Sequence, residues 1–230
     1  MIFRIEQSPH YHLFADGRAF FGIANAMDTL SNAGFVVAGL VGLWFLCREA
    51  SASRSRRFVV PEEMRAWWVL FGAVALAGVG SAWYHVAPDD ARLFWDRLPM
   101  SLVFVSLVSV VVSERIRLTL GLRLLPGLLV TGFGSVAWWR TTGNLLPYAL
   151  LQYGSLAFIL AIVMTRRSRY THGSHVTGVL ALYAAAKAAE CLDSPIYALT
   201  GIVSGHTLKH LLAAAGVLWL LRMLSLRSPQ

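Results

Sequence analysis

Charge is scarce in this chain. Asp, Glu, Lys and Arg make up only 14% of its 230 residues, where a soluble domain carries about 25%. So few charges cannot cover a soluble surface. Cysteine is scarcer still. Cys47 and Cys191 are the only two, which excludes a disulfide scaffold. They end the first and sixth apolar runs, hence opposite sides of a seven-span bundle, and both read as plain helix-end residues. The opening segment, MIFRIEQSPHYHLFADGR, is polar and shows no cleavable secretory leader. Low hydrophobicity, the mark of disorder, is also missing. Hydrophobic residues reach 57% and mean hydropathy is +0.59. What remains is an all-α polytopic membrane protein.

Seven apolar stretches of about 17–23 residues fit the length a helix needs to cross hydrocarbon. They run over 25–47, 66–86, 98–113, 124–140, 145–165, 174–191 and 205–224, the third being short. Strands with open edges cannot satisfy their backbone in lipid, so each stretch is expected to be helical. Only Thr141 to Asn144 separates the fourth from the fifth, which predicts a tight helical hairpin. No repeat or second domain interrupts residues 1–230. Small residues mark expected close packing at Gly72, Gly78 and Gly80, along Ala184–Ala186 with Ala188 and Ala189, and over Ala213–Gly216.

The net charge is +8. The basic residues lie between apolar runs and form no stripe, so they point to orientation and anionic lipid rather than nucleic acid. Arg48, Arg54, Arg56, Arg57 and Arg65 occupy one loop. Arg115, Arg117 and Arg123 occupy another, and Arg166, Arg167 and Arg169 a third. Arg222 and Arg227 follow in the tail. With seven spans these segments share one side, which predicts a cytoplasmic C-terminus and an outside N-terminus. Composition and compact loops suit a bacterial inner membrane better than an internal eukaryotic one.

Ionisable residues at membrane depth are expensive and are functional candidates. Asp28 accompanies Ser31 and Asn32 in the first span. Ser81 and His85 end the second, and Asp96 opens the third. Lys187 and Glu190 end the sixth, with Asp193 just beyond. His206, Lys209 and His210 begin the seventh. Span direction places Ser81, His85, Asp96, His206 and His210 in one leaflet.

His206 and His210 are four residues apart on one helix, so both rings project from one face. Two such nitrogens can share a metal, although a hydrogen-bonded interfacial pair satisfies the spacing equally well. His85 could be a third ligand, leaving a tetrahedral position for water, as catalytic zinc sites do. Asp96 could then serve as general base and acid, or orient a histidine. A salt bridge from Asp96 to Arg97 or Arg92 is its simpler reading. There is no H-E-x-x-H motif. Gly201 to Gly205 spells G-I-V-S-G, so Ser204 reads as a helix cap rather than a nucleophile. His10, His12, His172 and His175 read as solvated. Trp67, Trp68, Trp138 and Trp139 read as interfacial anchors.

Three segments, Ser81-Ala-Trp-Tyr-His85, Asp96-Arg-Leu-Pro-Met100 and His206-Thr-Leu-Lys-His210, resemble the signatures of the alkaline ceramidases. Those belong to a wider superfamily of seven-helix hydrolases with the adiponectin receptors and hemolysin III-like proteins. Asp28-Thr-Leu-Ser-Asn32 is similar to the family's N-T-x-S-N segment, with aspartate in place of its first asparagine. The resemblance runs from about Asp16 to about Leu224. It implies His85, His206 and His210 as Zn2+ ligands, with Asp96 and Ser81 beside the reacting water. It implies cleavage of a ceramide amide to a sphingoid base and a fatty acid, with the lipid entering sideways between helices. Asp96 would protonate the leaving amine and Ser81 would face the developing oxyanion. Asp16 and Asn25 match parts of a calcium-binding segment in animal members, but Gly17 and Arg18 dilute its negative charge. Asp28, Asn32, Lys187, Glu190 and Asp193 are candidates for substrate contact or for support of the ligands. The last three could bind a polar headgroup or simply pair with their neighbours.

These readings put a zinc-dependent intramembrane amidohydrolase acting on a lipid from the bilayer first. The alternative is a non-catalytic lipid receptor or regulatory protein with a structural zinc site. A transporter is disfavoured, because the polar residues gather on one side and no pair of broken helices is present.

Overall fold

The computed structural model describes residues 4–52 and 57–230. Arg54 and Arg56, counted above toward the basic side, lie outside the described residues. Nine α-helices run along the described chain: α1 Ala26–Ser31, α2 Ala33–Ser51, α3 Met64–Val86, α4 Asp90–Arg115, α5 Leu118–Thr142, α6 Leu146–Thr165, α7 His175–Cys191, α8 Asp193–Thr200 and α9 Gly205–Leu226. No named strand occurs among the described residues.

Among the described residues six helical stretches are long and apolar enough to cross a membrane: Ala26–Ser51, Pro61–Val86, Asp90–Arg115, Leu118–Thr142, Leu146–Thr165 and Gly205–Leu226. The protein is thus a multi-pass integral membrane protein. The expected span over 174–191 is the 17-residue α7, about 26 Å long at 1.5 Å per residue, a little short of the roughly 30 Å hydrocarbon core. It packs antiparallel to α9, with Gly178 against Trp219 and Gly205 against the carbonyl of Ala189.

Two elements depart from the apolar pattern. The stretch at 98–113 looked short, yet α4 extends N-terminally to Asp90. Asp89 starts it by accepting a hydrogen bond from the Arg92 amide at 2.7 Å, so the polar first turns stay helical. The first span is broken at Asn32 into α1 and α2. Asn25, in the left-handed region at φ 46°, begins α1, and its side chain donates to the carbonyl of His85 at 2.8 Å. Ser204 caps α9 as expected, accepting from the Thr207 amide at 3.0 Å.

A close contact joins α3 to α4 and has a chemical cause. Pro99 sits inside α4 and has no N–H to offer the carbonyl of Trp95, four residues back. Gly80 of α3 approaches that carbonyl so closely that a Cβ on it would lie 2.1 Å from the oxygen. This contact lies beside Ser81 and Asp96. Gly80→Ala is expected to force the two helices apart and cost about 1–3 kcal/mol. Thermal unfolding in detergent checks it, with Gly72→Ala as control. Gly72 was expected at a close contact too, but nothing lies within 4 Å of a Cβ built there, so the control should unfold like the parent.

At the end of the bundle away from the histidines, a buried charge cluster closes the molecule. Arg227 is fully buried and pairs with Glu114. Its guanidinium stacks on Tyr170, Phe58 and Trp67. Tyr170 donates to Glu63 at 2.5 Å, and burial pushes its phenol pKa up. One sequence reading changes here, and one residue gains a role. Arg227, counted in the tail toward the basic side, is a core residue. Trp67 is buried against Phe71 rather than anchored at an interface.

Candidate metal centre and substrate cavity

The opposite end of the bundle gathers the candidate residues. α3 contributes Ser81 and His85 from one face, and α9 contributes His206 and His210. The three rings form a nearly equilateral triangle, with centroids 4.8, 5.1 and 4.9 Å apart. One candidate ligand atom from each histidine lies within 4.8 Å of the others. Nε2 of His85 and Nε2 of His206 are 3.2 Å apart. Two nitrogens on one tetrahedral zinc, each at about 2.0–2.1 Å, would be roughly 3.3–3.4 Å apart. All three histidines are buried. Three imidazoles suit zinc and several other divalent transition metals, so the residues fit a metal without specifying which one.

Neighbouring groups hold these rings in place. Ser31 Oγ lies 2.8 Å from His210 Nδ1, which leaves Nε2 of that ring for the triangle. Asp193 accepts from the His206 amide at 2.7 Å and from the Ala15 amide at 3.0 Å. Asp28 accepts from Thr207 Oγ1 at 2.5 Å and from Ser204 Oγ at 3.1 Å. Asn32 donates to the main-chain carbonyl of Asp28 at 2.8 Å. Asp28 and Asp193 therefore join α1, α8 and the N-terminal segment to the start of α9, while the Asn32 bond stays within its own turn. None of them lines the cavity described below.

The N-terminal segment crosses over the histidines. Phe14 places its ring 4.6 Å from that of His85 and 4.7 Å from that of His206. Sequence reasoning missed this residue, since a lone phenylalanine before the first span carries no periodic signal. His12, read as solvated, contacts Tyr84 at 2.9 Å and Asp90 at 3.2 Å. Asp16 is gripped by Arg18 through Nε at 2.8 Å and Nη2 at 2.7 Å. That guanidinium holds the Asp16 carboxyl below its ordinary pKa. Asp16 is thus committed to Arg18, whereas Asn25 spends only its amide nitrogen on the His85 carbonyl.

Beside the triangle lies a cavity of about 270 Å³. Ser81, Asp96 and His210 line its polar end, and Leu70, Val74 and Leu220 are among its apolar walls. Asp96 and Ser81 lie together at this polar end. The simpler expectation, a salt bridge from Asp96 to Arg92 or Arg97, does not hold. Arg92 pairs with Asp89, and Arg97 lies against Trp139, Tyr11 and Tyr148. Trp139 is thereby buried under Arg97 rather than anchored at an interface. Lys187 and Glu190 pair with each other, and Glu190 also accepts from Lys209 at 3.0 Å. Lys209 Nζ is 2.8 Å from His206 Nε2, so this charge cluster adjoins the triangle.

Ser81, His85 and Asp96, from the consecutive helices α3 and α4, thus converge with His206 and His210, from the distant α9, at one end of the bundle. Comparison with curated proteins returns no match. A family model described as Ceramidase matches residues 19–226, a stretch that contains all five of these residues and nearly the whole chain, so the protein belongs to the ceramidase family.

Proposed function

We propose that this protein is a zinc-dependent intramembrane amidohydrolase. Its substrates are ceramide-like N-acyl lipids, cleaved to a sphingoid base or lipid amine and a fatty acid. The observation that supports it best is the triangle of buried histidines beside a largely apolar cavity whose polar end holds Ser81 and Asp96.

His85, His206 and His210 would hold the metal. When bound, zinc supplies a Lewis acid for the amide carbonyl and lowers the pKa of water toward neutrality. The remaining tasks fall to side chains. Asp96 takes a proton from the attacking water and delivers it to the amide nitrogen as the C–N bond breaks. Ser81 orients Asp96 and can turn its hydroxyl toward the carbonyl oxygen as negative charge develops there. Phe14 shields two of the histidines from bulk water. The apolar walls receive the acyl chain. α6 and α7 touch each other sparsely while both contribute to the cavity, which favours lateral entry between them. We take α7 as a seventh crossing, which restores the alternation of basic loops and puts the N-terminus outside.

The test is a mass-spectrometric assay for fatty acid released from defined N-acyl lipids by detergent-purified protein. It is run as purified, after chelation and after zinc is restored. Release that vanishes on chelation and returns with zinc is the expected outcome. Stoichiometric metal without turnover on any N-acyl lipid would favour the non-catalytic alternative.

A further inference from the structure

The chain has 20 Lys and Arg residues, and only Lys187 and Lys209 are lysines. Both line the cavity, and both reach one carboxylate. Glu190 contacts Lys187 through Oε2 and Lys209 through Oε1. Every other basic residue is an arginine. An ammonium is a compact charge with three donors that can rotate toward a mobile ligand. After the bond to Glu190 and the approach of Lys209 to His206, donors remain on both lysines.

A third cation lines the same cavity. Arg97 is only 3% exposed. It donates to Gln7 Oε1 at 2.6 Å and lies 4.2 Å from the Trp139 ring centroid. Among the described residues no carboxylate is within ion-pair distance of it, and its Nη1 has no hydrogen-bond partner. Aromatic faces offset part of the cost of burying a guanidinium, but they do not satisfy an N–H. The charged groups lining the cavity are Asp96, Arg97, Lys187, Glu190 and Lys209, which leaves one positive charge in excess. A neutral sphingoid headgroup has no use for that excess.

We propose that the cavity prefers N-acyl lipids that carry an anion within one or two carbons of the amide nitrogen, as N-acyl amino acids do. Lys209 adjoins the histidine triangle, so a substrate with its amide at the triangle brings such an anion within reach of the cationic group. Arg97 supplies the unused donor. This rests on the amidohydrolase reading for turnover, but the binding claim can be tested without it.

Two lipids with the same acyl chain isolate the charge. N-oleoylglycine carries a carboxylate where N-oleoylethanolamine carries an alcohol. Binding is read by modifying the protein with an amine-acylating reagent and quantifying Lys187 and Lys209 by peptide mass spectrometry. The acid is expected to protect both lysines about fivefold or more at concentrations well above its Kd, and the alcohol much less. In the release assay, kcat/KM is expected to favour the acid by about 10- to 100-fold. Arg97→Gln should cut that ratio by about tenfold, while Arg97→Lys keeps more of it. Should Arg97→Gln fail to fold, lysine protection on the unaltered protein still decides. Equal protection by acid and alcohol, or a kcat/KM ratio near one, would overturn the proposal and leave the amidohydrolase reading standing. Selective protection by the acid without release of fatty acid from any lipid would do the reverse.

Discussion

His210→Ala is expected to lose its bound metal and about a thousandfold or more in amide hydrolysis. The ring stands at one corner of the triangle, 5.1 Å from His85 and 4.9 Å from His206 between centroids. Its removal leaves two donors, too few to hold a tetrahedral ion firmly. Losing a group that merely orients a ligand typically costs about 10–100-fold in affinity or activity, so losing a ligand itself should cost more. Elemental analysis of purified protein, parent beside variant, checks the metal, and the release assay checks turnover. Near-stoichiometric zinc in the parent and none in the variant is the expected pair. Full activity in a correctly folded variant would remove His210 from the mechanism.

Asp96→Asn is expected to separate chemistry from metal binding. The amide keeps the volume of the carboxyl and its place beside Ser81, but it cannot accept and return a proton at pH 7. General acid–base contributions of this kind are worth about 10²- to 10⁴-fold in kcat. Zinc content should stay at the parental level, because Asp96 is not one of the three clustered ligands. The two variants thus fail differently, one without metal and one with it. If Asp96→Asn also loses its metal, the carboxylate orients or supplies a ligand, and the proton-transfer role assigned to it is wrong.

Much of the site was legible because its chemistry is expensive in lipid. Ionisable groups near membrane depth are rare, so His85, Asp96, His206 and His210 stood out against the apolar background. Helical periodicity then paired Ser81 with His85 and His206 with His210. The supporting residues were harder to read. Nothing local in Asp28 says that it accepts from Thr207 and Ser204 at the start of α9. Phe14 carried no signal at all, since its role is a position over two rings from distant helices. Arg227 looked like one more cytoplasmic cation, and only its partners Glu114 and Tyr170 make it part of a core. The N-terminal turns of α4 were hidden by their charges, because a hydropathy window is blind to the Asp89 cap.

The sequence alone determined the class of the molecule, since so little charge and so much apolar surface have a favourable solvent only in lipid. It also determined which residues were candidates for chemistry, because each one carried a visible desolvation cost. Tertiary structure decided which candidates meet. Asp96 lines the cavity with Ser81 and pairs with no arginine, Asp28 ties α1 to the start of α9 instead of lining the cavity, and Glu190 draws both lysines to one carboxylate. These outcomes depend on separations of a few ångströms between different helices. Packing sets such distances, here through Gly80 against the carbonyl that Pro99 leaves without a donor, and no spacing along a single helix encodes them.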